Sequence, residues 1–239
     1  MTTVQSHRKN FIALLIVTGL FIAIMAVGFV GNIRSGNYVV IPIAFTAIAI
    51  CAGAVWLAHY RVRVLLRDKT PDRIIAHYHG SVRRIEHADA VAAYLAGLAA
   101  TFFGEYDRAR QELEAVNWDK VPPMYRGHRL YVLAMLALLE ETDYPLALRL
   151  AAQAKELESQ SPGGGLVLLD DVIHLVADGG NPEIISRLER AANKQHGLVP
   201  GICAWALAVY YKRNNQLDKA SDYKVILKLS IPYCAPMKA

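Results

Sequence analysis

Asp170 and His174 stand one helical turn apart, with Asp171 beside them, and this is the spacing in the sequence that comes nearest to acid/base equipment. No G-x-S-x-G, P-loop or dinucleotide fingerprint accompanies them, so the group reads as a solvated helix face and no reaction class follows. Metal chemistry fares no better. His77 and His79 are two residues apart and would point to different faces of a helix, while His87, His128, His174 and His196 form no HxxxH or HExxH pair. Cys51, Cys203 and Cys234 are an odd number without close spacing, which fits a reducing compartment rather than a disulfide framework or a CxxC site. The run Ser161-Pro162-Gly163-Gly164-Gly165 lacks the Lys-Ser/Thr of a nucleotide loop and reads as a flexible connection. The expectation is a protein that is not an enzyme, with no cofactor, no metal and no small-molecule substrate.

The elements that would position these residues fall into two unlike parts. Residues 11–30 carry no charge, and twenty residues of helix at 1.5 Å each match a hydrocarbon core of about 30 Å. A second uncharged run follows at 39–58, and only GNIRSGNY at 31–38 separates the two. The sequence therefore predicts a transmembrane hairpin, with spans at 11–30 and 39–60. The first run is longer than a signal-peptide core and no convincing A-x-A site follows it. Arg8 and Lys9 precede the first span and Arg61, Arg63, Arg67 and Lys69 follow the second, whereas the loop holds only Arg34. This bias places both termini in the cytoplasm of, we expect, a bacterial inner membrane. Neither span holds an ionisable residue of the kind transport requires. Small residues four apart, Gly19/Ala23 and Ala49/Gly53, suit close packing within the hairpin.

The charge of the whole chain is +5, but residues 1–69 carry +6 and residues 70–239 carry −1. A nucleic-acid binder would place its excess on the folded domain, so this distribution argues against nucleic acid. Beyond a basic linking segment at 61–89, apolar residues recur at three- and four-residue spacing, with turn signals between, which predicts an all-α domain over 90–232 and a tail at 233–239. Thr70-Pro71-Asp72 reads as a capped helix start. Asp143-Tyr144-Pro145 and Asn181-Pro182-Glu183 read as starts of later helices.

An internal repeat organises this domain. G-x-Y-x-x-A occurs at Gly104, Tyr106 and Ala109; Tyr144 and Ala147 follow 38 residues later, Gly180, Pro182 and Ile185 after a further 38, and Leu217 and Ala220 after 35 more. The predicted helix pairs are 90–103 with 106–117, 126–140 with 144–158, 165–177 with 182–194, and 200–213 with 217–229. Ala109, Leu113 and Val116, like Ala147, Ala151 and Ala154, occupy one helix face, where small side chains let helices approach closely. One pair cannot cover its own apolar face, so neighbours must stack and leave an elongated groove.

These residues resemble the tetratricopeptide repeat family over about 90–232. The likeness rests on Gly97, Gly104, Tyr106, Ala109 and Leu113 in the first repeat, Tyr144, Ala147, Ala151 and Ala154 in the second, and Ala208, Tyr211, Ala220 and Pro232 in the fourth. The third repeat lacks the aromatic and the small residue after its turn, and other helical-hairpin solenoids share such patterns. The resemblance implies a TPR-like α-solenoid of about four helix pairs whose inner surface takes a protein partner. Its inward positions would include Tyr94, Phe102, Arg129, Asp170, His174, Trp205, Lys212 and Arg213. An aromatic and basic groove of that kind would hold an apolar anchor and a carboxylate. For Phe102 and Trp205 the other reading is core packing, and for Lys212 and Arg213 a solvated helix end. The function expected is therefore a membrane-anchored adaptor or scaffold binding protein partners at the cytoplasmic face. The alternative is an integral subunit or assembly factor of a larger membrane complex that makes its contacts through the hairpin.

Overall fold

The computed structural model describes residues 48, 51–53, 60–83, 85–159, 166–194 and 197–237. The chain divides into two compact units, Met1–Arg61 and Val62–Ala239. In the first, residues 48, 51–53, 60 and 61 are helical and exposed; apart from these, the expected spans at 11–30 and 39–60 lie outside the described residues, as do 1–10, the loop at 31–38 and the glycine-rich run at 161–165. Among the described residues no helix is long and apolar enough to cross a membrane.

The second unit is all-helical, with no strand among its described residues. Helix α1 (Asp72–Ser81) starts at the expected place, but Pro71 rather than Thr70 occupies its N-cap position. The Thr70 hydroxyl donates to the Asp72 carboxylate at 2.8 Å, so it holds the first helical acid and does not cap a backbone N–H. Then follow α2 (Ala88–Phe103) and α3 (Tyr106–Glu114), α4 (Pro123–Leu136) and α5 (Tyr144–Ser159), α6 (Val167–Ala177) and α7 (Pro182–Lys194), and α8 (Leu198–Arg213) and α9 (Leu217–Ser230).

Local chemistry explains most of these boundaries. Gly104 ends α2 in the left-handed conformation, φ +82°, and its N–H and that of Glu105 return to the carbonyls of Thr101 and Ala100. Asp143 caps α5 by accepting the Leu146 N–H at 2.9 Å. Asn181 caps α7 by accepting the N–H groups of Glu183 and Ile184 at 3.0 and 2.9 Å. Two boundaries differ from expectation. Helix α3 stops at Glu114, so Val116 lies beyond it and a 3-10 turn at Trp118–Lys120 follows; the Trp118 indole N–H donates to the Leu113 carbonyl and ties that turn to α3. The α conformation of α4 ends at Leu136 and passes into a π-helical turn, Ala137–Glu141, closed by Thr142 at φ +53°. This wider turn carries Leu138 and Leu139.

The helices pack as four successive pairs, α2 on α3, α4 on α5, α6 on α7 and α8 on α9, while α2 meets α4, α4 meets α6, and α6 meets α8. Ala109, Ala147, Ala151 and Ala154 are completely buried where helices cross, and Ala208 and Ala220 are nearly so. Their small side chains permit the approach that larger ones would block.

The array is more closed than an elongated groove requires. Phe102 of α2 meets Trp205 of α8 edge to face, with ring centroids 5.6 Å apart at 84°. After α9 the chain turns back, and the short 3-10 turn Ala235–Met237 contacts α2. The linker joins this end too: Leu66 is completely buried, and the Arg67 guanidinium lies 3.5 Å from the Leu229 carbonyl of α9. First and last helix pairs thus meet through the Phe102–Trp205 contact.

Candidate functional site

Helix α8 presents Trp205, Ala208, Val209 and Lys212 at three- and four-residue spacing, so all four share one face. Opposite them stand Lys224 and Leu227 of α9, Leu138 and Leu139 of the π turn, Tyr106 at the start of α3, and Ala235 and Pro236 from the returning C-terminal segment. Together they line a cavity of about 380 Å³. The room exists because Ala208 and Ala235 project so little, and because the π turn displaces its leucines from the line of α4. The Tyr106 hydroxyl donates to the Leu139 carbonyl at 3.2 Å and holds that turn against α3.

The floor is apolar and the rim cationic. Trp205, Leu138 and Leu227 are buried, whereas Lys212 and Lys224 are exposed. Neither lysine has a hydrogen-bonding or ion-pair partner among the described residues. Two unneutralised ammonium groups over an apolar surface suit an anionic group joined to an apolar one.

The eight residues expected to form a groove are distributed over several places. Trp205 and Lys212 line the cavity, with Phe102 behind Trp205; Phe102 is completely buried and serves packing, so it presents nothing to a partner. Arg213, expected to face a partner carboxylate, is already engaged: it donates to the Val176 carbonyl and to the Tyr144 hydroxyl at 2.8 Å, and lies 5.2 Å from the centre of that ring. Arg129 lies 5.7 Å from the Trp118 ring centre, away from the cavity lining. Tyr94 packs edge-on against His128, with centroids 4.8 Å apart.

Asp170 and His174 form no solvated face. Asp170 is 8% exposed and Asp171 2%, because neighbouring helices bring cations over them. Lys155 of α5 lies 3.4 Å from Asp170, and His174 lies 3.8 Å from Asp170 and 3.0 Å from Asp178. Arg187 of α7 grips Asp171 through two contacts of 2.8 Å. Asp170 thus ties α6 to α5, and Asp171 ties it to α7. No group of three or more His, Cys, Asp or Glu among the described residues is placed to hold a metal ion. Burial pushes the Cys203 thiol up to about 12, so little thiolate exists there at neutral pH.

Glu158 was not singled out by the sequence. It accepts from the Tyr131 hydroxyl at 3.2 Å and the Leu166 N–H at 2.9 Å, with His128 3.6 Å away and 6% exposed. Burial raises the Glu158 pKa above the ordinary carboxylate value, against the bonds from Leu166 and Tyr131, and nearby Asp170 adds to the rise. The folded state therefore holds this proton more tightly than the unfolded chain. Its advantage is complete below the unfolded value and fades as pH climbs from 4.5 through the raised pKa. Melting temperatures measured across that window should fall less steeply for Glu158→Gln than for the natural protein; equal slopes would reject the assignment.

What sequence reasoning missed at the cavity is Lys224 and Leu227 of α9, Val209 of α8, the two leucines of the π turn and the returning Ala235 and Pro236, and Tyr106 and Ala208 were assigned to packing alone. The one available signal was the pair of lysines on neighbouring helices, Lys212 and Lys224, on either side of the last turn. No protein family, no curated protein and no solved structure matches this chain.

Proposed function

We propose that the chain is a membrane-anchored adaptor of tetratricopeptide-like build that holds a segment of a protein partner at the cytoplasmic face of a bacterial inner membrane, without catalysis. The observation carrying this reading is the cavity of about 380 Å³ with an apolar floor and two exposed lysines at its rim that have no ion-pair partner among the described residues. The packed helix pairs support it by fixing the cavity walls, since α8 and α9 pair closely and hold Lys212 and Lys224 on adjoining helices. The anchor rests on the uncharged runs at 11–30 and 39–58 and on the basic residues flanking them. A fitting partner carries a carboxylate next to an apolar side chain, the first meeting Lys212 and Lys224 and the second meeting Trp205 and Leu227.

Crosslinking of the full chain in native membranes, read by mass spectrometry, identifies the partner. Reversal of both charges, Lys212→Glu with Lys224→Glu, should weaken capture by about tenfold or more and remove most of its salt dependence. Helicity should persist because both side chains are exposed. If capture survives this change and is lost when residues 11–60 are replaced by an unrelated hairpin, the protein acts instead as a subunit or assembly factor of a membrane complex. Such a replacement must stop short of residue 62, because Leu66 and Arg67 belong to the helical domain.

A further inference from the structure

The outward face of α9 is not finished like the end of a soluble array. Terminal repeats normally turn a polar surface to water. Here Val225 and Leu229, one turn apart on the last two turns of α9, are 55% and 46% exposed, and Tyr233 just beyond is 39% exposed. Val64 on the linker is 39% exposed as well, and Arg67 three residues later reaches the Leu229 carbonyl, which brings linker and helix end together. Arg67 brings a cation to this surface and Lys228 stands beside Val225 and Leu229 on α9, while Arg63 and Lys69 flank Arg67 in the linker sequence. Before α1 begins, the one acid among residues 61–71 is Asp68, which pairs with Arg73 at 3.1 Å. Asp218 and Asp222 are exposed on the same stripe of α9, Asp222 one turn before Val225, so the acids lie toward the start of the helix and the apolar residues with Lys228 toward its end.

We propose that this apolar and basic face docks on an anionic lipid surface. Aliphatic side chains with a tyrosine would enter the headgroup boundary while the surrounding arginines and lysines meet lipid phosphates. A second copy of the chain fits less well, because two-fold pairing would set the same cations against each other. The proposal rests on the membrane-anchor reading in one respect: Val62 follows the uncharged run at 39–58 by only a few residues, so an anchored chain keeps this face at high local concentration beside lipid.

The full chain, with the exposed Cys51 changed to Ser, would carry a fluorophore at Val225→Cys, at Leu229→Cys, or at Arg190→Cys on the exposed side of α7. Each protein is placed in vesicles containing phosphatidylglycerol and a shallow spin-labelled lipid at neutral pH. Quenching at positions 225 and 229 should exceed that at 190 by about twofold or more, and it should fall in phosphatidylcholine vesicles or with Lys228→Glu. Quenching no greater than at 190 would overturn docking, and so would lipid-independent crosslinking between two Leu229→Cys chains in detergent. Alkaline extraction of the same vesicles reads the anchor separately. A chain that is stripped by alkali but quenched at neutral pH keeps the docking and loses the anchor, whereas one retained but unquenched loses the docking alone.

Discussion

Phe102→Ala is expected to lower the free energy of unfolding by about 3–5 kcal/mol, the range for removing a fully buried phenyl ring when its surroundings collapse only in part. Phe102 is completely buried near the end of α2, and its ring meets Trp205 edge to face at 5.6 Å. Deleting it removes the apolar transfer contribution and leaves a void between the first and last helix pairs. Trp205 is held in its α8 backbone and cannot swing far enough to fill that space. Phe102→Leu retains most of the volume and should cost about 1–1.5 kcal/mol. Urea or thermal melts of the full chain, followed by helical circular dichroism, would separate the two variants. A Phe102→Ala protein with unchanged stability but impaired partner capture would contradict the packing described here and restore this ring to a partner-facing surface.

That result bears on how much of the molecule its sequence reveals. The helix pairs were legible because each rests on local information: the 38-residue recurrence of Tyr106 and Tyr144, the buried stripe at Ala147, Ala151 and Ala154, and the caps at Asp143 and Asn181. The site was less legible because it depends on curvature. Phe102 and Trp205 lie 103 residues apart, and no periodicity tells whether an array bends far enough for them to touch. Arg213 looked available in one dimension, yet the fold brings the α6 carbonyl end and Tyr144 to it. Asp171 gave no sign of its partner Arg187, since neither residue reveals from its own helix which face its neighbour will cover. The cavity itself arises from a π turn in place of an expected α-helical one, and from a C-terminal segment that returns across the array.

Glycines show the same limit and give the second large effect. Gly97 belongs to the repeat pattern, but a Cβ there would meet Leu113 and Val132 at 3.4 Å, which is ordinary contact. Gly127 and Gly201 carry no motif, and they have less room. A Cβ on Gly127 would stand 3.0 Å from the Ala154 carbonyl oxygen and 3.2 Å from the Glu158 Cγ. On Gly201 it would stand 2.8 and 2.9 Å from the Cδ1 and Cγ1 of Ile231, and 3.2 Å from the Ser230 Cβ. Ile231 is completely buried and β-branched, with few rotamers to retreat into, so relief must come from moving the end of α9. Gly201→Val is therefore expected to destabilise by about 2–3 kcal/mol, the upper part of the range for overpacking a filled interior. It should weaken partner capture too, because displacement of α9 carries Lys224 and Leu227 away from Lys212 and Trp205. Gly97→Ala gains up to about 1 kcal/mol of helix propensity against a mild contact and should leave melting within a few degrees of the natural protein or above it. The comparison is made on three purified variants, Gly97→Ala, Gly127→Ala and Gly201→Val, melted under one condition. If Gly97→Ala proves the most damaging, the close helix crossing lies at the first repeat and not where α8 meets the end of α9.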